Sequence, residues 1–321
     1  DHGDGGRVIV GADDTTFSRG SISARGGGNG GDGGFVEVSG KEVLDFHSFV
    51  DTRAPMGKTG MLLLDPSTIN IEDVAASSPS NATPYNTGSF GGTVVLDADL
   101  VDAGTTDITL LAHTLNVNAD VKLTHPINMT LHADYGGSIN VNKSITMDGG
   151  NLKFLSNYNT SSGDTPGSLH INAPVTATGA GSITTSEVGY INVNSAISSS
   201  SGRIYLEPVN ASLDVTSAGS ITSATGEIAL QSWGISTSSN LNVHGKITTG
   251  GALTVTGGAS GSNAVTIDGG ITAKSVSIST VKSITLADVN ATGGDVTLAT
   301  NLSSGVPTAG GLIQLLGAVQ T

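Results

Sequence analysis

Apolar residues at every second position, in runs of three to five, recur along the chain. They include Val8 to Val10, Phe35 to Val38, Val94 to Leu96, Ile108 to Leu111, Leu115 to Val117, Ile139 to Val141 and Leu169 to Ile171. The same pattern continues through Ile191 to Val193, Ile204 to Leu206, Ile228 to Leu230, Leu253 to Val255, Val265 to Ile267, Val276 to Ile278, Ile284 to Leu286 and Val296 to Leu298. Gly, Asn, Asp or Ser bounds each run, so each reads as a short, half-buried strand. No window sustains a helical period. The wording is densest from Gly30 to Glu72, where Phe35 to Val38, Val43 to Val50, Met61 to Leu64 and, after the Asp65-Pro66 turn, Ile69 to Glu72 read as consecutive strands joined by tight corners.

Spacing turns strands into an architecture. Ile204 and Ile228 are 24 residues apart and Ile228 and Leu253 are 25 apart, with Leu213 to Val215 and Leu241 to Val243 lying between. One phrase returns as Ser138-Ile139-Asn140-Val141, Ser144-Ile145-Thr146-Met147, Ser182-Ile183-Thr184, Ser220-Ile221-Thr222 and Ser283-Ile284-Thr285-Leu286. A period of about 20 to 50 residues marks a solenoid, propeller or array. Propeller blades need about 40 residues each and aromatic corners, which a chain with one tryptophan, Trp233, does not supply. The spacing predicts an all-β parallel β-helix. Each coil of about 20 to 25 residues would supply three strands that pair with their equivalents one coil on. Aliphatic side chains would fill the core while Thr, Ser and Asn face water. About 13 to 15 coils at about 4.8 Å each give a rod of about 65 Å.

Composition removes competing classes. Glycine numbers 46 of 321 residues, aromatics make up 4% and charged residues 12%. With 37% hydrophobic residues in short pieces, the chain carries too much apolar surface and too little charge for a disordered segment. The net charge is −14 and no basic cluster faces phosphates, so nucleic acid is not an expected partner. Cysteine is absent, which is compatible with export because a long stack with a continuous core needs no disulfides. No apolar run approaches a membrane-spanning helix. No signal peptide is evident, and Asp1 at the start and the strand-like Gly311 to Leu316 near the end read as an excised internal segment.

Three stretches break the rhythm: residues 74–92 with Pro79 and Pro84, Asn157 to Gly167, and Gly257 to Asn263. They read as surface excursions, where binding residues concentrate. The candidate contact residues are Ser80, Asn81, Tyr85 and Asn86 in the first and Tyr158, Asn159 and Asp164 in the second.

The phrases GDGGRVIV, SISARGG, GGDGGFVEVSGK and GKTGMLLLDPSTINI, between Gly3 and Ile71, resemble the filamentous haemagglutinin family of large exoproteins, the adhesins of two-partner secretion. The resemblance covers residues 1–73 as haemagglutinin-like coils. After the loop at 74–92, residues 93–321 share only the strand-rich, Ser/Thr/Asn-rich style and are expected to continue the same single helix. The resemblance implies a right-handed winding, an outer-membrane transporter as export partner, a location at the cell surface or outside the cell, and adhesion. The amino-terminal secretion domain of such proteins is not evident, so the segment would be part of a shaft.

The remaining motifs carry less chemistry. Gly26 to Phe35 approaches the calcium-binding nonapeptide through Gly27, Gly28, Gly30 and Asp32. Gly34 occupies the apolar position, however, and no tandem copy completes an oxygen shell; a glycine corner is the simpler expectation. Asp97, Asp99 and Asp102, with Asp120 about one coil later, could pair carboxylates for glycoside hydrolysis, although Asp at a strand end ordinarily terminates it by hydrogen bonding. The seven histidines, His2, His47, His113, His125, His132, His170 and His244, lack metal-ligand spacing. Seven Asn-x-Ser/Thr sequons begin at Asn81, Asn128, Asn142, Asn159, Asn210, Asn290 and Asn301. The sequence thus predicts a non-enzymatic adhesin or fibre shaft with no metal or cofactor and a glycan or protein receptor. A self-assembling matrix filament stacking end to end is the alternative, and a polysaccharide-processing enzyme the third.

Overall fold

The computed structural model describes residues 2–40, 43–72, 93–97, 106–156, 167–232, 239–257, 264–300 and 311–321. Among them there is no helix, and the strands pair in parallel. The first ten strands are β1 (Arg7–Ala12), β2 (Thr15–Ser23), β3 (Phe35–Gly40), β4 (Val43–Asp51), β5 (Met61–Asp65), β6 (Thr68–Glu72), β7 (Thr93–Asp97), β8 (Asp107–Val117), β9 (Val121–Leu123) and β10 (Met129–Val141). Later strands are given by range.

The chain winds as a parallel β-helix with three faces. The first stacks β1, β3, β5 and the first halves of β8 and β10, then Leu152–Ser156, Ile183–Ser186, Ile204–Leu206, Ile228–Gln231, Ala252–Thr256, Ser275–Thr280 and Val296–Thr300. These twelve rungs span about 50 Å at about 4.8 Å each. That is fewer and shorter than the sequence spacing suggested, because several coils spend ten or so residues in one connection. The second face stacks β6 and the second halves of β8 and β10, then Ser168–Ile171, Tyr190–Val193, Leu213–Val215, Leu241–Val243, Ala264–Ile267, Ser283–Leu286 and Leu312–Leu315. The third is a 9-stranded sheet from β9 to Val319–Gln320.

The alternation seen in the sequence becomes three aliphatic ladders. Ile183, Ile204, Ile228 and Leu253 stack on the first face, Leu169, Ile191, Leu213 and Leu241 on the second, and Ile197, Ile221 and Ile247 on the third, all with 0% exposure. Complete burial of each such side chain is worth about 1.5 to 3 kcal/mol. Because every rung rests on its neighbours, that stabilisation is shared along the axis.

Two features correct the simple picture of aliphatic inside and hydroxyl outside. β2 carries no aliphatic alternation because its inward positions are Thr16 and Ser18. Thr16 Oγ1 donates to the Ser39 carbonyl at 2.7 Å, and Ser18 Oγ shares a 2.6 Å bond with the buried Ser48 Oγ of β4. Farther along, buried Ser199, Ser223 and Thr249 stack at the end of the third face and donate to the carbonyls of Gly181, Gly202 and Gly226. A buried hydroxyl is tolerated where a backbone acceptor lies within reach. The stacking order also reverses once. β7 follows β6 in sequence but pairs with the edge of β6 opposite β8, so this part of the second face runs β7, β6, β8; β4, paired with β2 in a separate two-stranded sheet, packs near β7.

The abundant glycine is explained at the corner leading into the first face. Gly150, Gly181, Gly202, Gly226 and Gly251 stack there. A Cβ on Gly202 would lie 1.9 Å from the Gly181 oxygen, and one on Gly226 would lie 2.2 Å from the Gly202 oxygen.

Candidate interaction surface

Parallel, in-register strands place equivalent outward residues one above another, so a residue type repeated once per coil becomes a row. On the second face Asn116 Nδ2 donates to Asn70 Oδ1 at 2.8 Å and Asn140 Nδ2 to Asn116 Oδ1 at 2.9 Å; farther on, Asn242 Nδ2 donates to Asp214 Oδ1 at 2.6 Å. At the next corner Asn118, Asn142, Asn172 and Asn194 form an amide chain with spacings of 3.0, 3.0 and 2.9 Å. Beside the first face Asn128 bonds Asp107, and Asn151 bonds Asn128. The interior amides Asn116, Asn142, Asn172 and Asn128 each both donate and accept along the axis, which ties coils together on the outside while leaving these edges even.

The three corners differ. Connections from the second face to the third hold two to four residues, and those from the third to the first hold one to five. From the first face to the second they run from His113 alone to residues 157–167, 207–212, 232–240, 257–263 and 301–311. In the amino-terminal coils, residues 24–34, 52–60 and 98–106 lead from β2, β4 and β7 back to the first face, and 73–92 join β6 to β7. From β10 onward, every connection longer than five residues joins the first face to the second, along one edge. That edge also holds the two non-glycine residues of positive φ among those described, Glu187 and Asn210, both at 57°. Backbone held there costs about 1 to 3 kcal/mol and concentrates where a chain has work to do. Tyr135 and Tyr190, at 57% and 50% exposure, stand on the same edge. Ser156, at the root of 157–167, and Ser232 and Ser239, near the two ends of 232–240, bury hydroxyls with no described partner.

One cluster of side chains stands beside this edge. Arg203, Tyr205 and Glu207 alternate outward from one coil, and Glu227 and Gln231 lie on the next. The Arg203 guanidinium carbon lies 4.6 Å from the Tyr205 ring centre, and its Nη2 is 3.6 Å from Glu227 Oε1. Tyr205 O–H donates to Gln231 Oε1 at 3.2 Å. Partial burial raises the Glu207 pKa above the ordinary value; a bond to Tyr205 pulls it down and the charge of Glu187 pushes it up again. Near the amino-terminal coils, Asp51 is clamped between Arg53 and Arg25 at 2.6 and 2.9 Å. The Arg53 hydrogen bonds, the largest cause, hold its carboxyl well below the usual range, with burial opposing and both arginine charges reinforcing them.

Ser80, Asn81, Tyr85, Asn86, Tyr158, Asn159 and Asp164 lie outside the described residues, as do Asp99 and Asp102. By its place in the chain, the connection holding Tyr158, Asn159 and Asp164 belongs to the long-connection edge, whereas residues 73–92 join β6 to β7. Asp97 ends β7. Asp120 accepts from the Ser144 hydroxyl at 2.7 Å and the Ser144 N–H at 3.0 Å, and the hydroxyl bond is the main cause of its lowered pKa; it stands in the turn between β8 and β9. In the calcium-like stretch Asp32 Oδ1 accepts from Lys58 N–H while the Asp32 N–H donates to Asp4 Oδ1, and Gly30 and Gly31 have φ of 140° and 116°. This is the glycine corner. No group of three or more metal-ligating side chains forms among the described residues. His113 pairs with Asp134 at 2.6 Å and His244 with Asp268 at 2.8 Å, each across one coil. The Arg203 cluster escaped the sequence reading. Its signal was available as charged and aromatic residues at i, i+2 and i+4 around one short strand, in a row whose members on neighbouring coils, Thr184, Ala229 and Thr254, are small.

No protein-family model matches the chain, and no curated protein matches it either.

Proposed function

We propose that this protein is the shaft of a secreted, cell-surface adhesin, non-enzymatic, which meets its receptor along one edge. The observation that carries the reading is the segregation of insertions. From β10 onward two corners keep short connections and hydrogen-bonded amide rows, while the corner from the first face to the second takes every connection longer than five residues, the strained Glu187 and Asn210, and the exposed Tyr135 and Tyr190. A scaffold that tolerates length change at random would scatter it over all three corners. Resemblance of residues 1–73 to filamentous haemagglutinin exoproteins supports the same reading and extends it to export through an outer-membrane partner.

The test is attachment of the purified chain to cells and to glycan- or protein-coated surfaces, measured by quartz microbalance. Saturable attachment is expected, without product release from the polysaccharides offered. Turnover of a polysaccharide, abolished by Asp97→Asn, would replace this reading with the enzymatic one. Fibres with a regular axial repeat in electron micrographs of a concentration series, without attachment, would replace it with the matrix filament.

A further inference from the structure

We propose that Arg203, Tyr205, Glu207, Glu227 and Gln231 form a binding site for a neutral saccharide. The inference deepens the surface-contact reading and rests on it for biological use, though not for the binding itself. The outward rows of the neighbouring coils are small: Thr184 precedes Tyr205 in its row, and Ala229 and Thr254 follow it. Against that even surface, five long polar side chains converge over two adjacent coils. They are also already ordered, by the 4.6 Å guanidinium–ring stack, the 3.2 Å Tyr205–Gln231 bond and the 3.6 Å Arg203–Glu227 approach. Pre-ordering lowers the entropic cost of binding.

The arrangement of donors and acceptors selects the ligand class. The Arg203 guanidinium and Gln231 amide donate; the Glu207 and Glu227 carboxylates accept; the Tyr205 hydroxyl and Gln231 oxygen lie between them. Interleaving on this scale suits a ligand each of whose groups both donates and accepts, which is the property of a sugar hydroxyl. A polyanion would meet Glu187, Glu207 and Glu227 around a single arginine, and a polycation would meet that arginine at the centre. The Tyr205 ring adds an apolar flank for C–H surface. Glu207, partly buried and repelled by Glu187, is an acceptor that a ligand hydroxyl would relieve.

The test titrates the intact chain with neutral oligosaccharides of glucose, galactose, mannose and N-acetylglucosamine, by calorimetry and saturation-transfer NMR. Sulfated dextran and oligolysine form the anionic and cationic arms. Binding of at least one neutral oligosaccharide is expected. Tyr205→Phe and Gln231→Ala should each weaken it about tenfold, the worth of one good hydrogen bond, while Arg53→Ala leaves it unchanged. All three are surface substitutions, with circular dichroism as the check on folding. The inference is overturned if no neutral oligosaccharide binds, if Tyr205→Phe and Gln231→Ala leave binding intact, or if sulfated dextran or oligolysine is preferred. Surface attachment that ignores these substitutions while saccharide binding is absent defeats this inference alone. Saccharide binding by a chain that attaches to nothing defeats the adhesin reading alone.

Discussion

Replacing Gly202 by alanine isolates the contribution of the glycine stack. Its backbone is not left-handed, so alanine meets no conformational objection there; the obstacle is space. The new Cβ would lie 1.9 Å from the Gly181 oxygen, 2.4 Å from its carbonyl carbon and 2.8 Å from the Ala180 oxygen. None of these atoms is the end of a flexible side chain, so two coils must part. Overpacking of this kind costs about 1 to 3 kcal/mol. Unfolding entropy of about 2.1 cal/mol/K per residue over 321 residues makes that a fall of about 1.5 to 4.5 °C in the melting midpoint. Gly28 is the control, because a Cβ there meets nothing within 4 Å. Gly28→Ala should gain about 0.4 to 1 kcal/mol by restricting the unfolded chain. Thermal melts followed by circular dichroism near 218 nm compare the two. A Gly202→Ala protein melting at or above the wild-type midpoint would refute the close-stack argument.

Other substitutions probe the remaining devices. Ile204→Ala, at a position of 0% exposure, should cost about 2 to 5 kcal/mol, read as a shift in urea midpoint; a shift under 1 kcal/mol would mean that the ladder is not closely packed. Asn142→Ala interrupts the chain from Asn118 to Asn194 and should cost about 1 kcal/mol, whereas the neighbouring Lys143→Ala should cost nothing measurable. Asp51→Asn should destabilise by about 1 to 2 kcal/mol at neutral pH, discounted for the half-exposed arginines. Since the folded pKa of Asp51 lies below its unfolded value of 3.8, this contribution is complete above that value and is lost as pH falls towards the folded one. The gap between wild type and variant should therefore narrow in acid; a constant gap would contradict the ion-pair account. Glu207 has the opposite sign: its folded pKa is raised from 4.5, so Glu207→Gln should stabilise at neutral pH and lose that advantage as pH falls through the raised folded value towards 4.5.

The fold was legible in the sequence because burial in a parallel stack obeys a two-residue rule that local wording cannot hide. Ile204, Ile228 and Leu253, spaced 24 and 25 residues apart, are register partners. What the wording could not carry was position around the axis. The repeated Ser-Ile phrase lies on the first face at Ser182, the second at Ser138 and Ser283, and the third at Ser144 and Ser220, because each face presents the same half-buried environment. β2 was hidden since its inward residues are hydroxyls satisfied by Ser39 and Ser48, and the reversed order of β7 depends on pairing with β6 rather than on any residue type. The proposed contact edge was legible only in part. Proline- and glycine-rich wording marked residues 157–167 and 257–263 as excursions, yet their alignment on one corner with 207–212 and 232–240 appears only once the coils are stacked.

The most direct measurement shortens the connections at that corner. Replacing residues 157–167, 232–240 and 257–263 by two-residue linkers like the natural 281–282 connection should leave the β spectrum and melting midpoint nearly unchanged while abolishing attachment to the surface the intact chain binds. Comparable alterations at the 216–219 and 124–128 corners should leave attachment intact. Undiminished attachment after the first set of changes, or its loss after the second, would contradict the assignment of contact to a single edge.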